Sequence, residues 1–259
     1  MVSQTPAAPL SFRLDGKTAL VTGAGRGIGA AIASAFAAAG ALVGVNDLDG
    51  ASAAASADAI VAAGGRALAL PGDVGTPDAV ARIFDALAAQ GGIDILVNNA
   101  GTTRDETIFD ITLESWNELM RINLTSAFLC SKRAMTMMRD QGRGGRIIVM
   151  GSVTGHQGAL YGHLHYATTK AGLHGFAKTL ARTGAPLGIT VNAIAPGIVV
   201  TDLLRRTHGD EGIAVLEKLV PAGLGAPADI GAAALYLASE AGRQVTGAVL
   251  DVNGGMLMR

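Results

Sequence analysis

Cysteine is nearly absent: Cys130 is the only one in 259 residues. One thiol excludes an internal disulfide and any all-cysteine metal site, and it suits a reducing compartment. It falls in the apolar stretch Ala127–Cys130, where it reads as a small buried hydrophobe rather than a reactive thiol. Charge is also scarce, at 16% of residues with a net of −1, and no lysine/arginine block offers a basic stripe to nucleic acid. The stretch Met1–Leu10 lacks the positive and apolar regions of a signal peptide. The apolar run Ala30–Val45 is broken by Ser34 and Gly40, so it reads as a helix, a turn and a strand rather than a membrane span. These absences predict a soluble, cytoplasmic protein.

What is abundant is apolar material, 49% of the chain, enough for a substantial core. Strands are predicted at Thr18–Val21, Leu42–Asn46, Ala67–Leu70, Ile93–Val97, Arg146–Met150, Thr190–Ala195 and Ala248–Val252. Most are continuous apolar runs, the pattern of strands covered on both faces. Helices are predicted between them, among them Gly27–Ala39, Pro77–Gln90, Leu113–Arg139, Tyr166–Arg182 and Ala228–Ser239. Thr76 and Thr112 stand where N-caps belong. Strict alternation predicts an α/β fold with a doubly wound parallel sheet. With no linker and no repeat, residues 1–259 read as one domain with a tail over 1–12.

The first strand runs into Thr22-Gly23-Ala24-Gly25-Arg26-Gly27-Ile28-Gly29 and then a helix. Glycines let backbone approach a pyrophosphate, and the helix start offers free N–H groups and a positive dipole end. The bland alternative is a tight structural turn. Asp47 ends the second strand, a little over ~20 residues past this turn, where a carboxylate can accept both hydroxyls of an adenosine ribose. The alternative is a solvated turn residue, a role that suits Asp49 better, as cap of a following helix. Polar residues also end the third strand (Gly72-Asp73-Val74) and the fourth (Asn98-Asn99-Ala100-Gly101), where doubly wound sheets bind ligands.

The fifth strand leads to Gly151-Ser152, and Tyr166 and Lys170 lie four apart on a predicted helix, sharing one face. A free tyrosine has a pKa of about 10, so a neighbouring ammonium and a cationic nicotinamide would be needed to lower it. In order, the chain shows Thr-Gly-x-x-x-Gly-x-Gly, Asn-Asn-Ala-Gly, a helical Asn123, Ser152 after a strand, Tyr-x-x-x-Lys and Pro-Gly-x-x-x-Thr. From Leu14 to Gly255 it resembles the classical short-chain dehydrogenase/reductase family.

That resemblance implies a Rossmann-type sheet of seven strands and an enzyme acting on CH–OH/C=O groups. It implies that Gly23, Arg26, Ile28 and Gly29 line the pyrophosphate and ribose, that Asp73 and Val74 hold the adenine edge, and that Asn98 lies beside the ribose. It further implies that Asn123 organises a relay water, Ser152 hydrogen-bonds the substrate oxygen, Tyr166 exchanges its proton, and Lys170 binds the nicotinamide ribose and lowers the tyrosine pKa. Pro196, Gly197, Val199 and Thr201 would lie against the carboxamide. Two details depart from the pattern: Thr169 stands where serine is frequent, and the long Ser152-to-Tyr166 loop holds a second tyrosine, Tyr161. Only Tyr166 has a lysine four residues on.

His156, His163 and His165 lack a carboxylate at ligand spacing and read as polar lining of a substrate mouth rather than a metal site. Residues 201–227 resemble the family's substrate-covering segment; Leu203, Leu204, Ile213, Leu216 and Leu219 would form an apolar ceiling over an uncharged secondary alcohol or ketone. The alternative is an NADPH-dependent 3-oxoacyl-(acyl-carrier-protein) reductase. Arg143 suits carrier docking near the site mouth, but Leu187 stands where those reductases carry a basic residue. A non-enzymatic nucleotide-binding regulator would have lost Tyr166 or Lys170, and both are present. Asp47 predicts NAD over NADP. The resemblance also implies a homotetramer, with Ala171, Gly172, Gly175 and Ala177 allowing close helix approach and Met256-Leu257-Met258 at a subunit contact.

Overall fold

The computed structural model describes residues 11–159 and 161–259. The tail expected over 1–12 therefore lies, up to residue 10, outside the described residues, as does the side chain of Leu203. Within them the strands are β1 (Thr18–Val21), β2 (Leu42–Val45), β3 (Arg66–Ala69), β4 (Ile95–Asn98), β5 (Gly145–Met150), β6 (Ile189–Pro196) and β7 (Val249–Val252). All pairs are parallel, in the order β3-β2-β1-β4-β5-β6-β7, the Rossmann-type arrangement. The order reverses between β1 and β4, which opens a crevice beyond their carboxyl ends. Register sets those ends level, with Val21 beside both Val45 and Val97.

The continuous apolar strands follow from cover on both faces. Ala19 and Val21 join one core with Ile32 and Phe36, while Leu20 between them joins a second with Phe84 and Leu87. The first core packs under α1 (Gly27–Ala38), α2 (Gly50–Ala62) and α9 (Pro227–Ala238). The second packs under α3 (Pro77–Ala88), α5 (Ser126–Gln141) and α7 (Leu164–Gly184). Phe36 and Phe84 are wholly buried on opposite faces; truncating either to alanine should cost about 3–5 kcal/mol. Cys130 is buried in the second core, and burial pushes its thiol up to about 12, so it is inert. No helix among the described residues is long and apolar enough to cross a membrane.

Three sequence expectations need correction. The helix expected over Leu113–Arg139 is interrupted: α4 (Leu113–Met120) passes into a π-helical turn, Arg121–Thr125, before α5 begins. Such a widened turn re-aims the side chains it carries. Thr112 caps α4 as expected, accepting the Ser115 amide at 3.1 Å, but Thr76 donates to the Asp73 carbonyl at 2.8 Å and does not cap α3. Ala177 is buried in its own core, so it cannot serve a helix-to-helix contact between subunits, whereas Ala171, Gly172 and Gly175 are exposed. A short α6 (Thr154–Gln157) follows β5, and α8 (Asp202–Glu217) spans much of the expected covering segment. A backbone break at Gly209, φ 61°, divides α8 in two.

Candidate active site

At the crevice, Thr22 and Asn99 tie the ends of β1 and β4 together. The Thr22 hydroxyl accepts the amides of Asn99 and Ala100, each at 3.0 Å. The Asn99 side-chain amide donates to the Thr22 and Gly23 carbonyls, each at 2.9 Å. Gly23 sits at φ +61°, where a Cβ would lie 2.9 Å from the Ala100 backbone, and a Cβ on Gly29 would collide with the Gly23 carbonyl. The turn is thus closed against side chains, while the amides of Gly27, Ile28 and Gly29, opening α1, have no carbonyl of their own helix to meet. That set of donors fits a diphosphate.

Asp47 closes one side of this turn. Its carboxylate accepts the Gly25 amide at 3.0 Å and the Asp49 amide at 3.1 Å. Asp49 caps α2, accepting from the Ala51 amide at 3.1 Å and the Ser52 hydroxyl at 2.6 Å. The Ser52 bond chiefly holds the Asp49 carboxyl below its usual range, with the exposed Arg26 as a minor contributor. Arg26 therefore lies in the field of Asp49. On the other side, Asp73 accepts the Gly75 amide at 2.8 Å and is paired with Arg121 at 2.7 Å, with Val74 buried beside it. A Cβ on Gly27 would come 3.6 Å from the Thr201 methyl, so Thr201, which caps α8 through the Leu204 amide at 3.2 Å, faces the glycine turn. Pro196 ends β6; Gly197 donates to the Val252 carbonyl at 3.0 Å, and Val199 bridges to Gly225, joining the two ends of the covering segment.

Asn98 is placed elsewhere. Its buried amide donates to Ser131 of α5 at 2.9 Å, because it shares strand parity with Leu96, which faces that helix. Asn99, just past the strand, is the residue that reaches the turn, and the parity of β4 was the signal that separates the two.

The catalytic end gathers Asn123, Ser152, Tyr166 and Lys170. The π-turn aims Asn123 at Thr102, whose amide it accepts at 2.8 Å and whose carbonyl it donates to at 2.9 Å, and it also reaches the Thr169 hydroxyl at 3.1 Å. Ser152, directly after β5, accepts the Thr154 amide at 3.1 Å, with its hydroxyl near the Tyr166 phenol. Lys170 donates to the Met150 carbonyl at 2.7 Å, its ammonium 5.5 Å from the centre of the Tyr166 ring. Burial pushes Lys170 down to about 8. Burial likewise raises Tyr166, the Ser152 hydrogen bond opposing it. The lowering of the tyrosine that the resemblance implies calls for the cationic nicotinamide as well as Lys170, so in the chain alone burial sets the direction. A protonated phenol beside a hydroxyl, at the mouth of a strand end, can hand a proton to a carbonyl oxygen. Tyr161 is 86% exposed and takes no part in this cluster.

The three loop histidines do not converge. His156 lies 3.2 Å from Asp251 and stacks on His174 at 4.3 Å; His163 meets the Thr103 hydroxyl at 2.9 Å; His165, wholly buried, meets Glu106 at 3.0 Å. Polar lining of the mouth therefore fits His163 and not the buried His165. No group of three possible metal ligands occurs among the described residues.

The protein-family model described as Enoyl-(Acyl carrier protein) reductase matches residues 23–257. The chain is 44% identical to the 3-oxoacyl-[acyl-carrier-protein] reductase FabG of Escherichia coli, over 95% of this chain and all of that one. A short-chain type dehydrogenase/reductase from Mycobacterium marinum superposes with a TM-score of 0.91 at 37% identity, covering 96% of this chain and 98% of that one. A 7 alpha-hydroxysteroid dehydrogenase complexed with NADH and a 7-oxo bile acid superposes at 0.89 and 36% identity, covering 94% and 95%. Sequence, sheet order and site geometry agree: the chain belongs to the short-chain dehydrogenase/reductase family, nicotinamide-dependent oxidoreductases acting on CH–OH and C=O groups.

Proposed function

We propose that the protein reduces the ketone of 3-oxoacyl thioesters, with NADH preferred over NADPH and Tyr166 as proton donor. The observation that carries the chemistry is the convergence of Tyr166, Ser152 and Lys170 at the carboxyl end of β5. The acyl class is supported by the 44% identity to an enzyme named for 3-oxoacyl groups. The cofactor preference is supported by Asp47 at the glycine turn, where an added phosphate would meet a carboxylate.

A bound nicotinamide supplies the hydride, and the chain's own residues handle the proton. Ser152 donates a hydrogen bond to the ketone oxygen, and Tyr166 gives that oxygen its proton as the C–H bond forms. Lys170 lies close enough to stabilise the resulting phenolate. Asn123 holds Thr102 and the π-turn in register beside them, where a relay water can return the proton. Gly23, Ile28 and Gly29 would hold the diphosphate, with Thr201, Val199, Gly197 and Pro196 over the nicotinamide side.

A second reading, an uncharged alcohol or ketone free of any carrier, is favoured by one observation. Arg143 is held by Asp94 at 2.9 Å, at the amino ends of the strands and opposite the site of its own chain, so it does not flank that mouth as the sequence suggested. Leu187, 37% exposed, offers no charge either. Either reading is proposed for a cytoplasmic protein.

The test is turnover of one 3-oxoacyl group presented on acyl carrier protein and on a short N-acetylcysteamine thioester, beside a panel of simple ketones. Comparable turnover of both thioesters, well above the ketones, supports the proposal. Turnover confined to simple ketones would transfer the assignment to the second reading.

A further inference from the structure

The helix carrying Tyr166 and Lys170 begins without an ordinary cap. The residue at its N-cap, His163, sits at φ 53° and gives no side-chain cap. The amide of Tyr166, in the first turn, is one of those no helical carbonyl can reach. It donates instead to Nδ1 of His165, at 3.0 Å. An imidazole nitrogen facing an N–H must be the acceptor, so Nε2 of His165 carries the proton. That Nε2–H points at Glu106, 3.0 Å away.

Glu106 belongs to the loop from Gly101 to Thr112, which runs from the Asn-Asn-Ala-Gly strand end to α4. Its carboxylate also takes the Ser115 hydroxyl, and Arg104 donates to Ser115 and pairs with Glu118. The Ser115 bond first, and His165 after it, hold the Glu106 carboxyl below its usual range. Two further contacts tie the loop to the start of α7. Thr103 meets His163 at 2.9 Å, and Gly162 (φ +52°) allows close approach, since a Cβ there would lie 2.7 Å from an Asp105 carboxylate oxygen. At its start, next to Thr103, the loop is clamped by the Asn123 side chain on Thr102.

We infer that His165 and Glu106 are positioning residues for Tyr166: the imidazole caps the tyrosine's own amide while Glu106 anchors the imidazole to the Gly101–Thr112 loop. The loop and the catalytic helix are thereby held in one register. This inference rests on Tyr166 being the proton donor of the proposed reaction. A residue wholly buried with both ring nitrogens engaged has no freedom left for proton shuttling of its own, which separates this role from a catalytic one.

The experiment compares Glu106→Ala, Glu106→Gln, His165→Asn and His165→Leu in the full chain, with two readouts. The first is hydrogen exchange at the Tyr166 amide without cofactor; the second is the split between kcat and cofactor KM. Glu106→Ala should speed that exchange and lower kcat by about tenfold, the loss matching ~1.4 kcal/mol of one anchored hydrogen bond, with cofactor KM little changed. Glu106→Gln keeps an acceptor and should recover most of kcat. His165→Asn, whose Oδ1 can replace Nδ1, should keep the amide protected better than His165→Leu, which guards the test if Glu106→Ala folds poorly. Unchanged exchange and kcat in both Glu106→Ala and His165→Leu would overturn the inference, as would Glu106→Gln failing as badly as Glu106→Ala. Faster exchange in a protein whose wild type reduces no carbonyl would uphold the anchor and sink the proposed function instead.

Discussion

Lys170 reaches back from α7 to donate a 2.7 Å hydrogen bond to the carbonyl of Met150, the last residue of β5. That bond pins the helix bearing Tyr166 to the strand end that presents Ser152. It also leaves a buried ammonium facing a carbonyl rather than a carboxylate, so the charge is only partly compensated. Replacing Lys170 with Met should therefore abolish most turnover while stabilising the fold at neutral pH. The sign follows from linkage. The folded value, about 8, lies below the unfolded value near 10.4, so the folded form resists protonation. The resulting penalty is complete below pH 8 and fades as pH rises from about 8 to about 10.4. Its upper bound is roughly 3 kcal/mol, less the orphaned Met150 carbonyl, and a gain of even 1 kcal/mol would raise Tm by about 2–4 °C. Thermal melts at pH 7 and pH 10 check it: a variant less stable than wild type at pH 7 contradicts the account.

Tyr166→Phe keeps the ring and removes the exchangeable proton. Turnover should fall by about 10²–10⁴, the contribution of general acid/base catalysis, while nucleotide affinity measured by fluorescence titration survives. Near-normal turnover would reject Tyr166 as the donor.

His174 gives the acid limb of stability. Burial, with the neighbouring His156, Arg259 and Lys178, pushes it down to about 4 against the opposing pull of Asp251. A histidine depressed in the fold contributes stability above its unfolded value of about 6.5 and loses it as pH falls toward about 4. His174→Gln should flatten the fall of Tm between those two values. An unchanged slope would show that the carboxylates alone set acid stability.

Cofactor choice turns on Asp47. Unit charges about 5 Å apart at an effective dielectric near 20 repel by roughly 3 kcal/mol before salt screening, and Asp47 would also lose a ribose hydrogen bond to NADP. Arg26, exposed at the glycine turn, could offset this only by becoming ordered on the phosphate. NADH should be preferred by about tenfold in kcat/KM, or ~1.4 kcal/mol. Asp47→Ala should narrow the gap chiefly by improving NADPH use. It should also weaken NADH binding, since the Gly25 amide loses its 3.0 Å acceptor. Equal or better kcat/KM with NADPH in the wild type would defeat the assignment.

Assembly is open to a single measurement. Gly175 on α7 has nothing within 4 Å of a built Cβ, and Phe128 on α5 is 49% exposed, so both helices present accessible surface. A homotetramer pairing these helices should run at about four times the 26.0 kDa chain mass by light scattering at micromolar concentration. Replacing Gly175 with Trp should dissociate it. A 26.0 kDa species in the wild type would end the proposal.

Much of this was legible from residues alone because it depends on local physics. Runs such as Thr18–Val21 and Arg146–Met150, short, mostly apolar and closely followed by glycine, read as strands buried on both faces, and a glycine turn between strand and helix needs backbone freedom that any reader can locate. Tyr166 and Lys170 share a helix face by spacing. What tertiary structure alone decided depends on partners far apart in the chain. Asp73 finds Arg121, and His165 finds Glu106, across separations of 48 and 59 residues. Periodicity cannot rank such pairs, and no propensity places a π-turn at Asn123. The titration of Tyr166 and Lys170 belongs to the same class. Spacing puts an ammonium near a phenol, but only the packed environment determines how far burial displaces each of them.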